Sequence, residues 1–263
     1  MTARANRALA APFARLGRKL PHGWRDFLLQ LAIWLGFGLA YQIARGIADR
    51  DVSQAFQNGR GIIDFENRVH ALIELDLQRV VLSAGDWLVQ VVNWTYWNSQ
   101  FTVVGLVLLW VYFKRNESFL RLRNILLLIN MLALVGFVLL PTAPPRLFPE
   151  WGFVDTLASS SALNHGSGLV QLASNPYAAM PSIHAANALV VGFFMASFVR
   201  SRPAKLLWTL WPSWVWFTVM ATANHFWLDV AAGIGLALLS ASIVVGLATL
   251  RRSDDELGRT ALP

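Results

Sequence analysis

The feature of this sequence that most limits its fold is a series of apolar runs. Several of them approach the roughly 20 residues that an α-helix needs to cross a bilayer. A helix satisfies its backbone hydrogen bonds internally, as the hydrocarbon core requires. The sequence therefore predicts an all-α integral membrane protein. We expect a bundle of six transmembrane helices, at residues 27–45, 95–113, 124–140, 184–199, 206–223 and 226–249. The second run is mixed at WTYWNSQ, so five or seven spans stay open as alternatives.

The distribution of basic residues predicts the orientation. With a cytoplasmic N terminus, six helices leave only six of the 22 Lys and Arg residues outside, namely Arg45, Arg50, Arg60, Arg68, Arg79 and Arg146. Basic residues favour the cytoplasmic side, so both termini are expected there. We read the first apolar run as an uncleaved anchor. Cytoplasmic tails at 1–25 and 251–263 then flank a transmembrane domain at 26–250. The net charge of +7 is then explained by the membrane orientation of the chain. It does not indicate a nucleic-acid-binding protein, since the sequence has no motif of that kind.

Two further segments are predicted to lie outside. Residues 64–81 are too charged to cross a membrane, yet their apolar side chains follow helical spacing, which predicts one amphipathic helix on the outer surface. That apolar stripe consists of Val69, Leu72, Ile73, Leu77, Val80 and Val81. Residues 141–181 form a long outer loop rich in Pro, Gly, Ser and Asn. The chain has no cysteine, so its chemistry has to come from His, Asp, Ser, Arg or Tyr.

The loop ends in AAMPSIHAANA, which places a histidine at the mouth of the fourth span. Pro181 and Ser182 occupy helix-start positions, and Ser182 is a natural N-cap. His184 then falls in the first turn. A helix N-terminus carries partial positive charge and unpaired N–H groups, so a cation is poorly placed there unless an anion binds as well.

The second cluster lies in ATANHFWLDVAAG. His225 and Asp229 are four residues apart and share a helix face, so the carboxylate can accept a hydrogen bond from the imidazole. Asp229 is the only acid within the predicted spans. An unpaired carboxylate there costs on the order of 2 kcal/mol or more. In the six-helix topology His184 and His225 begin two inward-running helices at one outer level, where they can face each other.

Two facing imidazoles suit phosphoryl transfer. One can attack the phosphorus while the other, protonated, delivers a proton to the leaving oxygen. The charge on the phosphoryl group needs fixed donors, and the candidates are Arg146, Ser182 and the N–H groups at the start of the fourth span.

These residues carry a resemblance to a family. PSIH and NHFWLD resemble the second and third motifs of the type 2 phosphatidic acid phosphatase superfamily. The closest likeness is to the branch of inositolphosphorylceramide synthases and actinobacterial membrane proteins, through PTAPPRL, GFVDT and NPYAAMPS. The resemblance implies that His225 is the nucleophile, Asp229 its orienting partner and His184 the general acid, with no metal or other cofactor. It also implies a bundle of six transmembrane helices with an outward-facing site. The substrate-binding candidates are Arg146, Ser182, Asn175, Tyr177 and Asn224.

The chain departs from the family pattern in its cations. The usual lysine and Arg-Pro motif is absent, and Val219 stands where the third motif has an arginine. We expect a membrane lipid as the substrate, in a bacterial cell membrane, and favour hydrolysis over transfer to an alcohol such as inositol, a small polyol acceptor. A metal-dependent hydrolase and a non-enzymatic transport protein with a His-Asp proton relay are the alternatives. The oligomeric state is not predicted.

Overall fold

The computed structural model describes residues 20–47, 51–158 and 176–260, and its regular elements there are helices, joined by one isolated bridge between Thr142 and Ala178. The α-helices are α1 (Gly23–Ile47), α2 (Val52–Arg68), α3 (Glu74–Ser83), α4 (Asp86–Asn98), α5 (Val104–Lys114), α6 (Asn116–Leu139), α7 (Ile183–Phe198), α8 (Arg202–Ala221) and α9 (Trp227–Thr260). The expected all-α fold is confirmed for these residues.

Helix α7 lies at the centre of the bundle, in contact with α6, α8 and α9. The contact with α8 is close because Gly192 has no side chain. A Cβ atom there would lie 2.7 Å from the carbonyl oxygen of Trp208. On the other sides, Ala186 packs with Ile129 of α6 and Ala237 of α9. Small residues on α7 thus bring three helices together around the segment that begins with the PSIH motif.

Two helices are long and apolar enough to cross a membrane by length and composition: α6, and residues Trp227–Arg251 of α9. Helix α7 is also apolar but shorter. Large apolar side chains are exposed on several helices, among them Leu35, Leu39, Leu106, Leu139, Leu207, Leu210, Leu238 and Leu250. Extended exposed apolar surface of this kind fits contact with lipid. The protein is a membrane protein, whereas the six-span topology stays a prediction.

The second predicted span is part of a longer helical stretch. Helix α4 continues without a break through a π-helical turn, Ser99–Val103, into α5. The mixed sequence WTYWNSQ therefore ends α4 and enters this turn. Single π-helical turns within α-helices are often found near functional sites.

The prediction of one amphipathic helix over 64–81 is wrong, because the chain breaks between α2 and α3. Helix α2 ends in a Schellman motif, in which the N–H of Ala71 donates to the carbonyl of Glu66 at 2.7 Å and that of His70 donates to Asn67 at 3.0 Å. His70 takes the left-handed conformation that usually favours glycine, with φ 55°. The segment thus forms the end of one amphipathic helix and the whole of a second one, separated by this turn.

These two helices and the loop after α6 form a cap over the end of the bundle at which α7 and α9 begin. An apolar cluster joins Ile63 of α2 with Phe148 and Phe153 of the loop and with Phe226, the residue before α9. Phe148 and Phe226 are fully buried. The cap therefore packs directly on the chain that carries the NHFWLD motif.

Candidate active site

His225 is held from two directions. Its Nδ1 atom lies 2.9 Å from the carbonyl oxygen of Ala179 and 3.4 Å from Oδ2 of Asp229. A carbonyl oxygen only accepts hydrogen bonds, so Nδ1 carries the proton and Nε2 is the nitrogen with the lone pair. Asp229 is fully buried and His225 is 4% exposed, so water does not compete for these bonds. The expected His-Asp pair is present, and Ala179 is a second partner that the sequence pattern did not reveal.

His184 faces His225 across the top of the bundle. The centroids of the two rings are 5.7 Å apart, with an angle of 57° between the ring planes. The imidazole of His184 stacks on the ring of Tyr96 in α4, with a centroid distance of 4.4 Å and an angle of 21°. The structure therefore brings together the two histidines that lie 41 positions apart in the sequence, as their spacing predicts.

Ser182 ties the start of α7 to α9. Its Oγ accepts a hydrogen bond from the N–H of Ala185 at 3.3 Å, which confirms the predicted N-cap. Its own N–H donates to the carbonyl of Asp229 at 3.0 Å, so this N–H is not among the donors that a phosphate could use. Gly233, one turn after Asp229, allows the close approach, because a Cβ there would overlap the carbonyl oxygen of Ser182. The hydroxyl hydrogen is the donor that Ser182 can offer.

Arg146 lies beside the NHFWLD motif. Its backbone N–H donates to the carbonyl of Ala223 at 2.8 Å, and its Nη1 donates to Oδ1 of Asn224 at 2.6 Å. Its Nε is 3.5 Å from Oδ2 of Asp155, which is 34% exposed. Arg146 thus binds Asn224, the residue that directly precedes His225 in the chain. The sequence did not reveal that a carboxylate offsets part of the arginine charge.

Tyr177, another substrate-binding candidate, lies in the segment that leads to Ala179. Tyr177 packs its ring against Phe56 of α2, with a centroid distance of 6.0 Å, and its carbonyl accepts from the N–H of Thr142. This pairing continues through Ala179, whose N–H donates to the carbonyl of Thr142 at 3.2 Å. It orients the Ala179 carbonyl toward His225. Asn175 lies outside the described residues.

Two buried carboxyl groups of the cap contact the backbone between His225 and Asp229. Oε1 of Glu74 accepts from the N–H of Trp227, and Oε1 of Glu66 accepts from that of Leu228 at 3.3 Å. Both side chains are fully buried, and burial raises the pKa of each carboxyl group. Helical spacing could have indicated that Glu66 is buried, since it continues the buried stripe of Ala55, Gly59 and Ile63 in α2, but it does not indicate which groups Glu66 contacts.

Over the residues that the structure describes, a helical bundle with an apolar exterior and a pair of facing histidines defines a membrane protein with a candidate active site. Residues 60–243 match a family model described as the PAP2 superfamily, the phosphatases of phosphatidic acid type 2. The chain belongs to this superfamily, and the resemblance read from its motifs is confirmed. In the described residues, no group of three or more His, Asp or Glu side chains is arranged to hold a metal ion.

A curated relative points in the same direction. The chain is 28% identical over 143 residues to a phosphoinositol dihydroceramide synthase of Bacteroides thetaiotaomicron, a match that covers 49% of this chain and 47% of the relative. The match thus spans about half the length of that protein. No solved structure gives a significant match. Family and relative together support a lipid phosphatase or phosphotransferase.

Proposed function

We propose that this protein is a membrane lipid phosphotransferase that works through a phosphohistidine on His225. The observation that carries the proposal is the facing pair of His225 and His184, with their ring centroids 5.7 Å apart and the first ring held by Ala179 and Asp229. A fixed tautomer on one ring and a second ring opposite suit a nucleophile and a general acid. A structural His-Asp pair would not need the second histidine.

In the first step, Nε2 of His225 forms a bond to the phosphorus of the substrate headgroup. The bond from phosphorus to the leaving oxygen breaks, and protonated His184 gives that oxygen its proton. The phosphorylated imidazole keeps its proton on Nδ1 and is therefore cationic. Asp229 stabilises this cation at 3.4 Å, in a buried site where water weakens the attraction little.

In the second step, an acceptor O–H attacks the phosphorus. His184, now neutral, takes the proton of this hydroxyl, and the bond between Nε2 and phosphorus breaks. His225 returns to its neutral form and His184 to its protonated form. Water as the acceptor gives hydrolysis, whereas an alcohol gives transfer, so both outcomes use the same residues.

Two observations now favour transfer from a phosphodiester headgroup over the hydrolysis that the sequence favoured. Arg146 is the cation that the PTAPPRL segment supplies, and Asp155 offsets part of its charge. A phosphodiester carries one negative charge and a phosphomonoester up to two, so the diester needs fewer cations. The relative is by its name a synthase. A small polyol such as inositol is the proposed acceptor.

The site is proposed to open on the extracytoplasmic face, with both termini in the cytoplasm. Support comes from the charge distribution, because most basic residues lie in segments that this orientation places inside. The cap of α2 and α3 would then cover the outer end of the bundle. Exposed apolar residues in this cap suit contact with the lipid surface: Val80 of α3, and Val69 and Ile73 of the connection between α2 and α3.

The proposal is tested with purified protein in lipid nanodiscs. A panel of lipid phosphomonoesters and phosphodiester lipids is offered with and without inositol, and both free phosphate and new lipid products are measured. We expect a new lipid that depends on the acceptor, and its loss in His225→Asn and His184→Asn. Phosphate release that is independent of the acceptor would instead identify a hydrolase. Turnover in both histidine variants would overturn the phosphohistidine route.

A further inference from the structure

The N-terminus of α9 meets carboxyl groups from three different elements. The N–H of Phe226, at the N-cap position, donates to Oδ2 of Asp229 at 2.9 Å, the return bond of a capping box. The next two N–H groups donate to Glu74 of α3 and to Glu66 of α2. These are N–H groups that have no partner within a helix, and here they are satisfied by buried acids.

Glu66 and Glu74 lie next to each other, because their Oε1 atoms accept from the N–H groups of two consecutive residues, Leu228 and Trp227. Their Oε2 atoms are buried and have no hydrogen-bond partner among the described residues. Two neighbouring buried carboxylates repel each other, and a proton on one Oε2 removes this repulsion and gives that oxygen a hydrogen to donate to the other. The pair therefore holds one proton and presents two Oε1 acceptors side by side.

The surroundings explain why a proton is retained. The acids that face Glu66 are Glu74 of α3 and Asp229 of α9, and beyond Asp229 lies His225, the group that can become cationic. Burial is the main cause that raises the pKa of Glu66, and the neighbouring negative charge of Glu74 adds to it. A single net charge on the pair matches the partial positive charge of the helix N-terminus.

This pair acts on the segment between the two residues of the His-Asp motif. Trp227 and Leu228 separate His225 from Asp229 in the chain, so their N–H groups fix the backbone that carries both side chains. The same turn is also held by Ser182 at the start of α7, whose N–H donates to the carbonyl of Asp229. Loss of this clamp would remove two of the hydrogen bonds that fix the depth and rotation of the turn.

We infer that Glu66 and Glu74 are positioning residues, a carboxyl pair with one shared proton that clamps the first turn of α9 and so sets His225 against His184. Both side chains are fully buried, and their argued role is to hold the backbone rather than to bind a substrate. The inference rests on the proposed function, because that function makes His225 the nucleophile. What the pair itself controls is the position of the His225 ring. It can therefore be tested with and without turnover.

The test compares three substitutions in the full-length protein in nanodiscs. Glu66→Gln keeps both functions of the protonated acid, because its carbonyl can accept from Leu228 and its amide can donate to Glu74. Glu66→Ala removes both. Asp64→Ala, an exposed acid of the same helix, is the matched control. We expect the alanine variant at Glu66 to lose at least tenfold in kcat with little change in KM, and the other two to stay within about threefold of wild type.

A second readout does not need turnover. In protein labelled with ¹⁵N-histidine, the ring signals of His225, assigned by their loss in His225→Asn, report its tautomer and hydrogen bonds. We expect these signals to move in Glu66→Ala and to stay in place in Glu66→Gln. If the alanine variant does not fold, Glu66→Asp replaces it, since the shorter side chain keeps the acid but withdraws its oxygen from Leu228.

The outcomes separate the two proposals. Wild-type kcat and unchanged His225 signals in Glu66→Ala, or in the aspartate variant, would overturn the clamp. Equal damage in Glu66→Gln and Glu66→Ala would overturn the shared proton, and with it this inference. Absence of turnover in wild-type protein would instead count against the proposed function, while the His225 signals would still decide on the clamp.

Discussion

The carbonyl oxygen of Ala179 lies 2.9 Å from Nδ1 of His225, although the two residues are 46 positions apart. It places the proton of the ring on Nδ1 independently of Asp229. In hydrolase triads a carboxylate alone sets the tautomer, and its loss leaves the base in the wrong form. In the proposed mechanism the two partners therefore have separate roles: the backbone carbonyl sets the tautomer and Asp229 stabilises the cation.

This division predicts a graded response to substitution at the pair. Asp229→Asn should lower kcat about 10- to 100-fold. The reason is that a hydrogen bond to a charged group contributes about 1.5 to 3 kcal/mol, and the amide would no longer stabilise the cationic ring to that extent. His225→Asn should remove turnover. The two variants are compared in the same acceptor-dependent lipid assay. Equal losses in both would show that Ala179 does not maintain the tautomer.

Arg146 and Asp155 predict a change in substrate affinity. Asp155→Asn should lower KM several-fold, because removal of the carboxylate leaves more of the arginine charge for the phosphate, a partly exposed pair being worth about 1 kcal/mol. The variant is a clean test, since Oδ1 of residue 155 can still accept from the N–H groups of Leu157 and Ala158. Arg146→Gln should raise KM. An unchanged KM in both variants would remove Arg146 from the binding site.

The central site could be predicted from the sequence because its signals are local. Ser182, His184 and His225 stand at the ends of long apolar runs, and Asp229 is the only acid within the predicted spans. The depth of each residue then follows from its position in a helix. Spacing alone was enough to bring the two histidines to one level.

The supporting contacts could not be predicted, because they join distant segments. Glu66 and Glu74 were hidden in a segment whose apolar stripe was read as one helix. Three members of that stripe, Val69, Ile73 and Val80, are in fact exposed. The Schellman motif at His70 turns the chain at a residue other than glycine, so no turn signal marked it. The Ala179 contact involves a backbone atom, which no residue pattern identifies.

The buried carboxyl pair predicts how stability varies with pH. Burial raises the pKa of Glu66 from an ordinary 4.5 to about 9. Between these values the folded state binds more protons than the unfolded state, so stability falls as the pH rises. Glu66→Gln cannot lose this proton, and its stability should fall less steeply, by up to about 1.4 kcal/mol per pH unit.

Thermal unfolding in detergent, followed from about pH 5 to pH 9, measures this difference. Asp64→Asn, an exposed acid on the same helix, should give curves parallel to wild type. Parallel curves for Glu66→Gln as well would show that Glu66 does not hold its proton across this range.

The proposed orientation can be tested with introduced cysteines, since the chain has none of its own. Ser83→Cys, at the exposed end of α3, should react with a membrane-impermeant maleimide in intact cells. Arg200→Cys, exposed between α7 and α8, should react only after the membrane is permeabilised. Normal accumulation of both variants is the control. The reverse labelling pattern would place the site on the cytoplasmic face.

The close approach of α7 and α9 predicts a strong effect of one methyl group. A Cβ at position 233 would overlap the carbonyl oxygen of Ser182 and lie 3.2 Å from the Cβ of Ala185, so Gly233→Ala has to push the start of α7 away. Overpacking of this kind costs about 1–3 kcal/mol, and it would also separate His184 from His225.

The matched control is Gly235→Ala in the same helix, where an added Cβ would have no atom within 4 Å. It should be neutral or raise stability by up to about 1 kcal/mol, since alanine is the better helix former. Thermal unfolding and kcat are measured for both variants. The expected result is a loss of both in Gly233→Ala alone. Wild-type kcat in that variant would mean that the spacing between the two helices does not set the distance between the histidines.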